Sequence, residues 1–222
     1  MHFDTVKMYC YIVSMNPTAS QSAVRPSYHH GDLRQVLLRS AKQLIAEAGI
    51  ENLSLRRLAE RAGVSRTAPY HHFSDKNDLL CAIAAEGFRR RHQTAAADFD
   101  QPTKTMREKF QAYMNGYVEF AVDNPEEYEL MFGRSIWKQQ NSTEELREVA
   151  YPCFQHQVDM VRCWQDSGVL SGDSPLRTAQ VIWGALHGIA KLFIDGIYTD
   201  TAQIEEVTHC AINMFINESF SK

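Results

Sequence analysis

Apolar residues in this 222-residue chain return every three or four positions, from Leu33 to Phe215, and almost nowhere every second position. A period near 3.6 gathers them on one side of a helix, whereas a half-buried strand would need strict alternation. The fold class is therefore all-α, with about nine helices. A first helix is expected to open at Gly31-Asp32, with Asp32 as cap and Gln35 completing a capping-box spacing, and to stop at Gly49. Ser54 caps a second helix, and Ala62-Gly63-Val64 is a tight turn in which Gly63 can take a positive φ. Ser65 is expected to cap a short third helix to about His72, and Ser74-Asp75 a fourth to about His92.

Beyond the polar stretch Asp98–Pro102 the pattern continues with larger side chains. One helix carries Met106 to Ala121 and ends before Pro125, and a short one runs from Pro125 to about Gly133. Ser142-Thr143-Glu144-Glu145 is a capping box that opens a helix towards Trp164, expected to kink near Pro152 and closed by Gly168. Ser174-Pro175 starts another to Asp195, and Asp200–Gln203 the last, to about Phe220. Three segments follow: a flexible arm over 1–27, a first domain over 28–92, and a second over 93–222.

Charge separates the two domains. Residues 25–92 hold 12 Lys+Arg against 7 Asp+Glu, a net +5; residues 93–222 hold 10 against 19, a net −9. A compact basic segment in a chain of overall charge −4 suggests a polyanionic partner. The 44% hydrophobic content excludes a wholly disordered chain, and no apolar run has the roughly 18–20 residues that a membrane helix needs. Five cysteines at 10, 81, 153, 163 and 210 have no paired spacing, which favours a reducing compartment and a cytoplasmic location. The apolar stretch Met8–Met15 lacks the marks of a signal peptide. Met1 and Met15 are both candidate starts.

Helix, glycine turn and short helix, over Ser54–His72, make a helix-turn-helix pattern. Leu55, Leu58, Ala59 and Val64 cover the inner side, which leaves Arg56, Arg57, Arg61 and Arg66 to face outward. The third helix has few large apolar residues. It offers Ser65, Arg66, Thr67, Tyr70, His71 and His72, whose donors and rings suit base edges and phosphates. Lys76 adds a cation at the start of the fourth helix. Pro69 forfeits one N–H, and the two histidines make a modest pH dependence of DNA binding an expectation. Arg25 is a candidate arm contact, although a solvated arm is the favoured reading.

These residues resemble a known family. The string Leu53-Ser-Leu-Arg-Arg-Leu-Ala-Glu-Arg-Ala-Gly-Val-Ser65, with Ala68-Pro-Tyr-His-His-Phe-Ser-Asp-Lys76-Asn-Asp-Leu-Leu80, is similar to the DNA-binding domain of TetR/AcrR-type transcriptional regulators. The likeness covers about Tyr28 to Phe88. It implies that the third helix enters the major groove and that the tyrosine and the lysine touch phosphate. By position these roles fall on Arg66, Thr67, Ala68, Tyr70, His71 and Lys76, with Ser65 adding a hydroxyl and Arg56 an outward charge. The resemblance also implies that the second domain dimerises and binds a small-molecule effector. Trp183-Gly-Ala-Leu-His-Gly188 is similar to a C-terminal pattern in some members.

The residues of the second domain carry their own expectations. The helix from Pro175 is apolar almost all round and so must be covered all round. With Gly184 and Gly188 allowing close approach, Ile182, Gly184, Ile189 and Phe193, together with Val207, Ala211 and Phe215 of the last helix, are the candidate homodimer interface. A two-fold dimer suits two half-sites about 34 Å apart. Phe110, Tyr113, Met114, Tyr117, Phe132, Trp137, Trp164, Trp183 and His187 are the candidate pocket for an apolar or amphipathic effector. Cys153, His156 and Cys163 lie near one helix face, too spread for chelation, and are read as packing. There is no nucleotide loop, no G-x-S-x-G and no nucleophile–base pair, so neither catalysis nor a cofactor is expected. The reading is a transcriptional regulator, most simply a repressor released from a palindromic operator. The alternatives are a helical enzyme or a protein-interaction module that has kept the architecture.

Overall fold

The structure is a computed structural model that describes residues 30–138 and 140–216. The arm over 1–27, Arg25 and the expected last turn up to Phe220 lie outside the described residues. Within them the helices are α1 (His30–Ala48), α2 (Leu55–Ala62), α3 (Lys76–Phe99), α4 (Met106–Asp123), α5 (Pro125–Phe132), α6 (Arg134–Trp137), α7 (Glu144–Asp166), α8 (Pro175–Ile194) and α9 (Ile204–Phe215). Single turns of 3-10 helix cover Ile50–Asn52, Ala68–His71 and Thr201–Gln203. Among the described residues the one β contact is an isolated antiparallel bridge between Leu170 and Ile216. No described helix is long and apolar enough to cross a membrane.

Caps explain several of the helix ends. Ser54 Oγ accepts from Arg57 N at 3.2 Å, Asp75 Oδ1 from Asp78 N at 2.8 Å, and Ser174 Oγ from Arg177 N at 3.4 Å. Each satisfies a backbone donor that the first turn leaves orphaned. Gly49 at φ 79° and Gly63 at φ 66° end α1 and α2 in conformations that a side chain would resist. Thr105 and Glu108 form a reciprocal capping box on α4 that the sequence reading passed over. Two expectations fail. α1 already includes His30, so Asp32 lies within the helix and not at its cap. α3 continues to Phe99 and passes His92 without a break, because Gln93 to Ala97 offer nothing that stops a helix.

The described chain divides into two compact units, and the division does not follow a single cut near residue 95. The first unit comprises the described residues up to Gly87 together with Glu126–Tyr151. Leu37, Leu38, Leu58, Phe73, Leu79 and Ile83 from its early helices are buried, as are Tyr128, Leu130 and Met131 from the later segment. Several contacts hold the later segment there, among them Asn77 Nδ2 donating to the Asn141 carbonyl at 2.8 Å. Arg34 pairs with Glu145 at 3.0 Å, Lys42 pairs with Glu86 at 2.8 Å and lies 3.8 Å from the buried Glu127, and Gly87 leaves room for the Met131 side chain.

The second unit comprises Phe88–Pro125 and the described residues from Pro152 onward. Phe110, Met114, Val118, Val161, Trp164, Ile182, Leu186 and Ile212 form its core, where α4 packs against α8 and α9. Three helices pass from unit to unit, α3 at Gly87-Phe88, α5 at Pro125-Glu126 and α7 at Tyr151-Pro152. At the last of these, Pro152 lacks the N–H that would bond Glu148 O.

Candidate nucleic-acid interface

α2 is held by the Ser54 cap at one end and by Gly63 at the other, where the glycine N–H bonds back to Ala59 and Glu60 carbonyls. Leu55, Leu58 and Ala59 are buried beneath it. The chain then turns through Val64 and Ser65 into Ala68–His71. This third segment is 3-10 and not the α-helix capped by Ser65 that the sequence suggests. Pro69 has no N–H to give an α-type ladder, so the turn closes through three-residue bonds: Ala68 N to Ser65 O at 3.0 Å, Tyr70 N to Thr67 O at 3.1 Å and His72 N to Pro69 O at 3.0 Å. Ser65 Oγ sits 3.3 Å from Thr67 Oγ1 instead of capping.

Pro69 is buried and fixes this segment, while Ser65, Arg66, Thr67, Tyr70 and His71 are exposed and Ala68 is half-buried. Tyr70 keeps 58% of its surface in solvent, unusual for a ring of that size. Lys76 Nζ reaches back to the Glu51 carbonyl at 3.3 Å, which places the lysine beside the first turn of α3.

The arginines are not equivalent. Arg61 is neutralised by Glu47, which accepts at 2.7 and 2.5 Å and whose carboxyl is held below its usual range by that pairing. Arg56 pairs with Glu60 at 3.2 Å, and Arg57 donates to the Asn52 carbonyl at 2.8 Å. Among the described residues, Arg66 makes no hydrogen bond, ion pair or ring contact, so its guanidinium fork is entirely available.

Two family models cover most of the chain. One, bacterial regulatory proteins of the tetR family, matches residues 37–83; the other, the tetracyclin repressor-like C-terminal domain, matches residues 110–215. The chain belongs to the TetR family. It is a DNA-binding transcriptional regulator of that family, with an N-terminal helix-turn-helix and a helical C-terminal part. It is 28% identical over 177 residues, 76% of this chain and 81% of the other, to the HTH-type transcriptional repressor AcnR of Corynebacterium glutamicum. Over 51 residues, 23% of each chain, it is 47% identical to the tetracycline repressor protein class C of Escherichia coli. A protein of unknown function from Rhodococcus sp. RHA1 has the same fold at a TM-score of 0.73 and 34% identity, covering 86% of this chain and 97% of that one.

In this TetR-family chain the nine candidate pocket residues do not form one group. Phe132 and Trp137 belong to the first unit, where Phe132 lies 4.9 Å from the Tyr128 ring and Trp137 Nε1 donates to the Met131 carbonyl at 2.6 Å. The other seven belong to the second unit. There the Trp164 ring is enclosed by Phe99, Phe110 and Tyr113, with centroids at 5.7, 5.1 and 5.4 Å. Phe110, Met114 and Trp164 are fully buried, so they are core before they are anything else. Tyr117 accepts from Trp183 Nε1 at 2.9 Å, and Trp183 also lies beside Phe154 and His187. A separate open groove of about 600 Å³ is lined by Gln111, Asn115, Ala202, Glu205, Glu206, His209 and Ile212 and includes none of the nine.

The candidate interface residues divide as well. Ile182 and Phe193 face the interior of their own unit, because helical spacing from Ala179 and Leu186 carries both onto the buried side of α8. Gly184 is exposed, and Ile189, Val207, Ala211 and Phe215 are half-buried. Val181 and Met214, not among those candidates, are 61% and 81% exposed on α8 and α9. Their signal was present, since Val181 precedes Gly184 and Gly188 by three and seven positions on one stripe. Cys163 is exposed whereas the Cys153 thiol is half-buried and donates to the Phe88 carbonyl at 3.6 Å, so the two do not share a site.

Proposed function

We propose that this chain is a homodimeric repressor that occupies a palindromic operator in the cytoplasm and leaves it when a small amphipathic effector binds the second unit. The observation that carries the reading is the segment Ser65–His71, held from below by Pro69 and presenting Arg66, Thr67, Tyr70 and His71 together to solvent. An unpaired guanidinium is suited to the paired acceptors of a guanine edge, and the tyrosine to a phosphate. The names of the relatives, repressors in each curated case quoted above, favour repression over activation. Val181, Gly184, Gly188 and Met214 give α8 and α9 an exposed, largely apolar stripe on which a second copy would bury area. Release follows from linkage: an effector that prefers the dimer state with misplaced reading segments weakens DNA binding by the factor by which DNA weakens effector binding.

The test is selection of bound sequences from random duplex DNA by the purified protein, repeated with Arg66→Ala and Tyr70→Ala. A palindrome that both substitutions weaken, by roughly tenfold or more for Arg66→Ala, supports the reading. No enriched sequence, or enrichment that the substitutions leave intact, overturns it.

A further inference from the structure

The second unit contains a cation without an anion. Arg91 lies on α3 and is half-buried, with its guanidinium 4.8 Å from the Tyr113 ring centre and 5.3 Å from that of Tyr117. One nitrogen, Nη2, donates to the Tyr113 carbonyl at 3.2 Å, while Nε is buried and has no acceptor. Among the described residues no carboxylate comes within ion-pair distance of it. The ionisable groups around it do not supply the missing charge. Burial pushes the Tyr113 phenol up to about 12 and the Cys153 thiol up to about 11, so both are neutral near pH 7 despite the pull of Arg91. A second donor is orphaned beside the same tyrosine: Trp164 Nε1 is buried without an acceptor, and its ring lies 5.4 Å from that of Tyr113.

A charge taken partly out of water without a counter-charge is costly, and one carbonyl and two ring faces offset only part of that cost, so the site gains from an anion that arrives from outside. The rings beside Arg91 continue away from it, from Tyr117 through its hydrogen bond to Trp183 and on to Phe154. Rings packed in this way, with Tyr117 and Phe154 buried and Trp183 half-buried, suit a flat apolar body that inserts among them, and the guanidinium fork suits a planar oxyanion bonded at two oxygens.

We propose that Arg91 anchors the carboxylate of an aromatic or similarly flat organic acid, and that this anionic class is the effector of the repressor. Only the word effector rests on the functional reading above; the site stands on the arginine and its surroundings. An organic cation or an uncharged lipophile is thereby excluded as the preferred ligand.

Three probes of one shape separate the possibilities: 2-naphthoate, 2-naphthylmethanol and 2-naphthylmethylammonium, titrated calorimetrically into the full chain without DNA. The expected result is that the acid binds at least tenfold tighter than the alcohol, with the ammonium weakest. Arg91→Met removes the preference, and Arg91→Lys, which keeps the charge but not the fork, retains part of it. A melting curve supplies the readout that a merely structural arginine would fail. Because Arg91 has no anion to lose and methionine keeps the apolar stem, Arg91→Met should melt at or above the wild-type temperature.

Absence of any gain for the acid over the alcohol, including no binding by either, overturns the proposal, as does a preference that survives in Arg91→Met. If Arg91→Met does not fold, the proposal is overturned as well, and Arg91→Lys then reports whether the charge was structural. Release of selected duplex DNA by the acid is scored separately. Tight binding without release leaves the anion site standing and removes the effector reading.

Discussion

Arg66 and Arg91 are both arginines without a carboxylate, and their surroundings make them opposites. Arg66 projects from the reading segment into solvent, where an unpaired guanidinium remains hydrated and costs the fold nothing. Arg91 lies among Tyr113, Tyr117 and a half-buried thiol, where the same group has lost part of its hydration. The pattern extends to their neighbours. The DNA-contact candidates in the first unit are mostly exposed and add little to stability, whereas most pocket candidates in the second unit are buried core. A surface site can therefore vary freely, but a site made of core residues is bound to the packing that encloses it.

The largest effect expected from this contrast is in the second unit. Trp164→Ala removes a ring packed by three others and should destabilise the chain by about 3–5 kcal/mol, seen as a large fall in the thermal midpoint. A midpoint within a degree or two of wild type would mean that the aromatic group is loosely packed and the contrast false. Next comes the exposed stripe. Val181→Glu combined with Met214→Glu should leave the fold intact and convert the proposed dimer to monomer in sedimentation, with operator affinity reduced on the order of a hundredfold as the two half-sites lose their linkage. A dimer that persists would place the interface elsewhere.

Ser54→Ala tests the first unit from below, since it removes the cap on α2 without touching the reading surface. The expected cost is about 1 kcal/mol of stability with the sequence preference unchanged. A change in which duplexes are selected would show that the position of α2 itself reads the sequence.

The smallest effect concerns His156, whose ring meets that of His92 edge-on at 4.6 Å. Burial first, and then the repulsion of His92, hold its pKa below the usual imidazole value, with Asp159 and Asp100 pulling the other way. The unfolded chain therefore takes up a proton near pH 6.5 that the folded chain still resists, and stability falls as the pH drops through that value. Melting temperatures between about pH 8 and 5.5 should decline less steeply in His156→Gln. Parallel slopes for the two proteins would rule out this residue as a source of the decline.

Local signals were readable from sequence alone. Helical periodicity, the Ser54 and Ser174 caps, the positive φ of Gly63 and the outward set from Ser65 to His71 need only neighbours within a few residues, and each is found where it was read. The segment Ala68–His71 shows the limit of that rule, since the missing N–H of Pro69 decides between α and 3-10 where capping signals alone suggest an α-helix.

The helical class, the family and the outward set from Ser65 to His71 follow from spacing and residue type along a short stretch. Long-range packing alone sets that Glu126–Tyr151 joins the first unit, that Ile182 and Phe193 turn inward while Val181 and Met214 remain outside, and that Arg61 is neutralised while Arg66 and Arg91 are not. The physical reason is common to all three. Each depends on which distant residue arrives beside a given side chain, and a one-dimensional pattern of polarity specifies the face a residue occupies far better than the partner it meets there.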